Sequence, residues 1–568
     1  MQTETRTTLT EKQSETTLRI GIIVESLFTH KHVYEFAEWA NKQNQICVSH
    51  VIVNQSFNAE TKGTRLSTKL FRTMFKNGFY DIASDVFFNI LQHLEKYLLK
   101  TKSRYKNQYN KFNLISVVEN QETIRSTTLN NNYITIEDAE IKRIKELNLD
   151  IIINYCDQMF SGDFINSARL GIISIQYADD CVSRGHLPGF WEVYSQQDTT
   201  EFTIMHLTDT EGGSEALIRG KLRTEIFFLL NQAALYEKAN HTLRLLITKI
   251  ASEGKLPAYL PSVPCSNPFY CIPNLHNIIY YLSNLYYRLS VKSLYRLIGY
   301  RQYFNVAFVR SNWRYAKLNQ GVSLKNPPNH FLADPFVINR FGKDYCFVED
   351  VDISTRRGCI VVYELNEKSS KRIGIAIEEP FHMSFPYLFE FQGSLYMCPE
   401  TSENKEIRVY KCLDFPCRWE LESVVMKDVS AVDSMLFEKN GKWWMLTNID
   451  HNNTGDYGQT LSIFYADSPL SQDWKAHPKN PIYINSTIVR NAGLLKDGKR
   501  IFRVSQAYGF DIYGKKTSIF EIDEIDEFNY TETPVVEITP SFKKGIIGTH
   551  HFHSNGQITV FDYFNYRW

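Results

Sequence analysis

The stretch Phe336-Val-Ile-Asn-Arg-Phe-Gly342-Lys-Asp-Tyr345-Cys-Phe-Val348 reads as an apolar strand, a glycine turn and a second apolar strand. It recurs downstream. Tyr387-Leu-Phe389, Gly393 and Leu395-Tyr-Met397 repeat it, as do Met435-Leu-Phe437, Gly441 and Trp443-Trp-Met-Leu446. Weaker copies run Leu494-Leu495, Gly498, Ile501-Phe502 and Phe552, Gly556, Ile558-Thr-Val-Phe561. The turn glycines lie 51, 48, 57 and 58 residues apart, the length of one four-stranded blade. Five repeats predict an all-β five-bladed propeller over residues 305–568.

The eighth residue before each glycine is Asp334, Phe385, Asp433, Arg490 and Gly548, and the seventh after it is Glu349, Glu400, Asn448, Ser505 and Tyr563. Residues symmetric about a hairpin turn face each other across the strands, so Asp334 is expected opposite Glu349, at the end away from the glycine. Asp334, Glu349, Glu400 and Asp433 should then gather from three blades at one mouth of the channel. Convergent carboxylates raise one another's pKa, and glycosyl chemistry uses paired carboxylates as acid, base or nucleophile. These four are the candidate catalytic residues. His382, His550 and His551 fall near the same ends, and Trp443, Trp444 or Tyr396 would join them if strand alternation turns them inward. The structural alternative pairs the acids with arginines such as Arg356, Arg490 and Arg503.

Upstream, Leu18-Arg-Ile-Gly-Ile-Ile-Val24 reads as a buried strand, followed by a helix near His32 and further strands at 48–53, 151–154 and 172–175. Strands alternating with helices predict a doubly wound α/β domain over 18–220, with ligands at the carboxyl ends of its strands. Residues 60–130 look like an insertion. Residues 1–17 read as a disordered tail, neither signal peptide nor anchor. Residues 221–304 read as a helical linker with a proline-rich stretch from Pro257 to Pro273. Its Asn274 to Tyr300 segment mixes Ile, Leu and Tyr with Arg288, Lys292 and Arg296, and reads first as a connector packed between domains, second as a membrane-surface helix.

The 568 residues carry 63 Lys+Arg and 63 Asp+Glu, a net charge of +0, so no global field favours nucleic acid. Ten cysteines include no C-x-x-C pair, which indicates no metal site and suits free thiols in a reducing, cytoplasmic setting. No run approaches ~20 apolar residues, so no transmembrane segment is expected. Aromatics reach 14%. That excess fits stacking surfaces for sugars and equally a coding bias.

With Ala333-Asp-Pro-Phe336 in its first blade, the repeat region resembles the propellers of glycoside hydrolase family 43. That resemblance implies a catalytic base at Asp334. The family's second-blade acid has no match here, because Phe385 and Pro386 occupy its place; transfer is therefore expected rather than hydrolysis. Through Ser384-Phe-Pro-Tyr387, Pro399-Glu-Thr-Ser402 and Ala431-Val-Asp-Ser434 the same region resembles the N-terminal propeller of plant glucosamine inositolphosphorylceramide transferases. Residues 18 to about 220 resemble the N-terminal domain of folate-dependent formyltransferases, on Arg184-Gly185, Pro188-Gly-Phe-Trp-Glu-Val193, Thr203-Ile-Met205 and Gly212-Gly213. In that family's site Ser174 stands where Asn is expected, Gln176 where His is expected, and Glu211 nearest the Asp. Gln176 cannot take a proton near neutral pH, so the resemblance implies a degenerate site.

The combined expectation is a carbohydrate-active transferase-type protein of glycoconjugate or surface-polysaccharide synthesis, acting on a sugar, nucleotide-sugar or glycolipid and cytoplasmic or peripheral to a membrane. One alternative is an active sugar N-formyltransferase using 10-formyltetrahydrofolate. The other is a non-catalytic glycan-binding module.

Overall fold

The computed structural model describes residues 17–56, 66–128 apart from 101, 103, 104 and 106, 133–177, 187–209, 213–261, 273–450 and 456–567. Contacts divide the chain into two compact units: Met1–Trp191 with Glu201–Arg219 and Phe228–Ile278, and Glu192–Thr200 with Gly220–Phe227 and Ile279–Trp568.

The second unit is a five-bladed β-propeller. Its first four blades follow the chain, with inner strands His330–Arg340, Ser384–Phe391, Ala431–Lys439 and Arg490–Asp497. The fifth blade closes the ring by pairing Phe552–Ser554 and Thr559–Arg567 with the upstream strand Arg301–Val309, which carries the short outer strand Val322–Ser323. The inner strands touch one another in ring order, and the fifth returns to the first. The repeated glycines make the hairpins. Phe341, Gln392 and Asn440 and the glycines that follow them all have positive φ, in two-residue loops between paired Arg340 and Lys343, Phe391 and Ser394, Lys439 and Lys442. Such loops match the right-handed twist of the flanking strands, and their second position suits glycine.

The interior is apolar on both faces of each sheet, which explains the continuous hydrophobic runs. Phe389, Phe437, Trp443, Trp444, Met435 and Leu446 pack into one core spanning neighbouring blades. Burying each such side chain contributes roughly 1.5–3 kcal/mol. Trp443, Trp444 and Tyr396 thus do not line the mouth. Trp443 pairs with Glu438 and Tyr396 with Phe389 near the glycine turns, and the Trp444 indole donates to the Lys439 carbonyl at 3.0 Å.

The first unit is built on a nine-stranded mixed sheet. Five adjacent strands are parallel, in spatial order Asn120–Thr128, Ile46–Ser56, Leu18–Val24, Ile151–Asn154 and Ile172–Gln176. Antiparallel pairing extends the sheet through Thr199–Leu207 on one side and Tyr133–Ile136 on the other. Helices Lys31–Ala40 and Asp138–Glu146 fall between strands in sequence, and Phe228–Glu253 follows them. The region that reads as an insertion supplies an inner strand of this sheet, Asn120–Thr128. Its polar sequence, in which Ile124 is the one buried large apolar residue, hid it.

Candidate active site at one mouth of the propeller

The inner strands of the first three blades share a feature that spacing alone does not show. In the first, Ala333 pairs with Glu349 and the next pair is Phe336 with Phe347, so Asp334 and Pro335 stand opposite the single residue Val348. The second blade repeats the bulge at Phe385 and Pro386, the third at Asp433 and Ser434. The first bulge residue is left-handed each time, with φ of 51° at Asp334, 48° at Phe385 and 52° at Asp433. A bulge re-aims a side chain, and a left-handed non-glycine residue costs about 1–3 kcal/mol, a strain that collects at functional sites. The count that placed Asp334 opposite Glu349 is therefore off by one: Glu349 faces Ala333, and Glu400 faces Ser384.

Contacts across blades hold the bulges. The Asp562 carboxylate accepts from the amides of Asp334 at 3.3 Å, His550 at 3.0 Å and His551 at 2.9 Å. Asp334 in turn accepts from the Phe385 amide at 3.3 Å, and Asn491 donates to the Asp433 carbonyl at 2.9 Å.

Groups from all five blades meet here. His550 Nε2 lies 3.3 Å and His551 Nδ1 3.5 Å from Asp334 Oδ1, and His550 Nδ1 lies 2.8 Å from Asp562. His382 Nε2 stands 3.2 Å from Glu349. Glu400 accepts from Ser384 at 3.0 Å and Ser402 at 2.8 Å, and Arg490 donates to Asp433 at 2.7 Å. Tyr513 and Phe304 carry the aromatic surface, with ring centres 5.3 Å and 4.9 Å from His550, and Arg490 also reaches the Tyr508 hydroxyl at 3.1 Å.

The environments separate the carboxylates. Burial pushes Asp334 upward, but hydrogen bonds from His550 and His551 outweigh it and hold the group far below the usual range. Burial raises Asp433 to about 7, with Glu400 and Asp334 adding to the rise against the pull of Arg490. Burial likewise raises Glu349 to about 6, with Asp334 and Glu400 contributing. Burial opposes the charge on His382 and His550, but Glu349 lifts the first to about 9, while Asp562 and Asp334 lift the second to about 10. Asp334, His550 and Asp562 also bring three ligand-type atoms within 4.8 Å of one another. With both ring nitrogens turned to carboxylates, the His550 imidazolium is itself the cation of that cluster.

These values set a pH dependence. Glu349, Asp433, His382 and His550 bind protons more tightly folded than unfolded. The stability they bring is complete below their unfolded values and is lost as pH rises through about 6, 7, 9 and 10. Asp334 acts oppositely and gives up stability as pH falls below the ordinary value of 3.8. Scanning calorimetry should find the propeller's Tm highest near about pH 5 and several degrees lower by about pH 10. A Tm that rises over that interval would contradict the assignments.

Residues 319–556 match the family model described as glucosamine inositolphosphorylceramide transferase 1, N-terminal. A curated relative of that name from Arabidopsis thaliana is 35% identical over 238 residues, 40% of this chain and 30% of the relative. One from Oryza sativa subsp. japonica is 33% identical over 224 residues, 38% of this chain and again 30% of the relative. The chain thus spans under a third of the length of the curated relatives it matches. Among solved structures, a family 117 glycoside hydrolase from Zobellia galactanivorans covers 46% of this chain and 90% of its own at 13% identity, with a TM-score of 0.31. The native Bacillus subtilis arabinanase covers 41% and 93% at 12% identity, also with a TM-score of 0.31. The propeller is defined by its own five sheets and the ring order of their inner strands.

Of the four residues expected to carry chemistry, Asp334, Glu349 and Asp433 are buried, Glu400 is half-buried, and they act on one another electrostatically. Asp562, Tyr508 and Tyr513 escaped the sequence reading. Asp562 sits one position off the offset used for the other blades, and the two tyrosines flank the turn after the fourth blade's second strand. Arg490, read as a structural counterion, sits on Asp433 itself. Arg503 instead pairs with Glu532 inside the fourth blade. In the first unit Ser174 is buried and accepts from Asn154 at 3.3 Å, while Gln176 ends its strand half-buried. Arg184 and Glu211 lie outside the described residues.

Proposed function

We propose that the propeller is the sugar-handling module of a transferase of glycoconjugate biosynthesis, and that its acceptor is a glycolipid of the inositolphosphorylceramide class named for its relatives. One observation carries this reading: left-handed bulges aim two buried carboxylates into one mouth, Asp334 against His550 and His551 and Asp433 against Arg490, and these surroundings push the first below and the second above its ordinary pKa. Two carboxylates driven apart in this way are suited to act as base and acid on one bond. Asp334 takes the proton of the attacking hydroxyl. Asp433, or Glu349 beside His382, supplies one to the leaving oxygen, and Arg490 holds developing negative charge. Tyr513 and Phe304 offer faces for the apolar side of a sugar ring.

The first unit enters this reading as an inactive relative of formyltransferases. Gln176 supplies no base where His is expected, and Ser174 offers a hydroxyl in place of the Asn amide, so in this reading 10-formyltetrahydrofolate is not a cofactor of the reaction. Thermal shift with two ligands separates the readings, because a ligand that binds only the folded state raises Tm with its concentration. A hexosamine-containing inositol phosphate head group should raise the propeller's Tm. 10-Formyltetrahydrofolate should leave the protein unshifted and give no formyl transfer to amino sugars. Stabilisation by the folate alone, with turnover, would replace this proposal by the formyltransferase reading.

A further inference from the structure

Residues 254–333 contain no Asp or Glu and nine Lys or Arg, in a chain whose overall charge balances. The helix Leu275–Leu297 lies within that stretch. One side of it is docked. Tyr281 is buried, the Arg288 guanidinium lies 4.6 Å from the Phe510 ring centre, and Lys292 Nζ stands 2.6 Å from Asp511. These contacts set the helix's rotation and turn its other side outward. That side carries large apolar side chains: Ile279, Leu282, Tyr286 and Leu289 follow at three- and four-residue steps, and Leu294 and Leu297 lie on the same face after a five-residue step, with the small Ser283, Ser290 and Ser293 between them. All six are exposed, Tyr286 at 75% and Leu297 at 84%. A soluble surface rarely gathers six exposed large apolar side chains on one helix face without a partner.

We propose that this outer face lies in the surface of a bilayer containing anionic lipid. The charge pattern selects that occupant, since an acid-free stretch meets no repulsion from anionic headgroups. Arg296 and Arg301, which make no ion pair among the described residues, are available to them. Tyr286 and its neighbour Tyr287 carry phenols suited to the headgroup level above inserted leucines. No helix among the described residues is long and apolar enough to cross a membrane, so this one lies on the surface rather than through it. The inference goes beyond the proposed transfer reaction and does not rest on it.

The test is co-sedimentation of the full chain with phosphatidylcholine vesicles, with and without phosphatidylserine and free of any glycolipid, so that the propeller site plays no part. The wild type should bind the phosphatidylserine vesicles more tightly and be released by salt. Tyr286→Glu/Leu297→Glu should cut partition by roughly tenfold or more with Tm unchanged, because both side chains already stand in solvent and each new carboxylate meets anionic lipid. Absence of wild-type binding to either vesicle, or equal binding by the double variant, would overturn the proposal. So would a wild-type dimer in solution that the double variant dissociates, since the face would then belong to a second copy.

Discussion

Asp334→Asn should lower glycosyl turnover by about 10²- to 10⁴-fold, the usual cost of losing a positioned proton acceptor. The fold should stand. The amide oxygen of Asn still accepts from the Phe385 amide, and His550 keeps Asp562 at 2.8 Å as its counterion. Removing the carboxylate also removes the group that helps raise Asp433 and Glu349, so both should titrate lower in the variant. The decisive comparison is rate against stability. A catalytic Asp334 gives a collapse in turnover in protein that is still folded at the assay temperature, beyond the lower Tm expected from taking an ionised carboxylate away from His550 and His551. A purely structural Asp334 gives the lower Tm alone, and the surviving folded protein keeps both its sugar affinity and its turnover.

Arg503→Met should destabilise the propeller by about 3–5 kcal/mol, the largest loss expected of any single change outside the mouth. Arg503 is fully buried, its Nε lies 2.8 Å from Glu532, and Tyr530 donates to the same carboxylate at 2.6 Å. Taking away the guanidinium leaves Glu532 charged and dry. For a domain of this size that loss lowers Tm by roughly ten degrees. Adding Glu532→Leu should restore most of it, because replacing both members of a buried pair by apolar groups is often neutral. Denaturant titration of the two variants measures this. A double variant no more stable than Arg503→Met would show that the cost lies in packing rather than in the unpaired charge.

The propeller was legible because its signals are local. Each inner hairpin announces itself by a left-handed glycine between two apolar runs, and each spacing equals a blade. The ring closure was not legible, since Arg301–Val309 carries no turn glycine and belongs to the last blade only through pairing with Thr559–Arg567. The acids were legible as a set but their partners were not. A bulge adds one residue without leaving a mark in composition, so it broke the count that set Asp334 against Glu349. Asp562 escaped the same count because its hairpin has a four-residue loop between paired Ser554 and Thr559 where the first three blades have two-residue loops. The parallel strands at Leu18, Ile46 and Ile151 stood out as buried aliphatic runs. Asn120–Thr128, polar and largely exposed at its ends, did not.

A crystal structure of the protein with a hexosamine-containing inositol phosphate head group is the most direct measurement. The account predicts a sugar ring at the mouth, with hydroxyls within hydrogen-bond distance of Asp334 and Asp433 and the ring beside Tyr513. A head group bound only on the first unit, or a mouth left empty by a ligand that binds elsewhere, would contradict it.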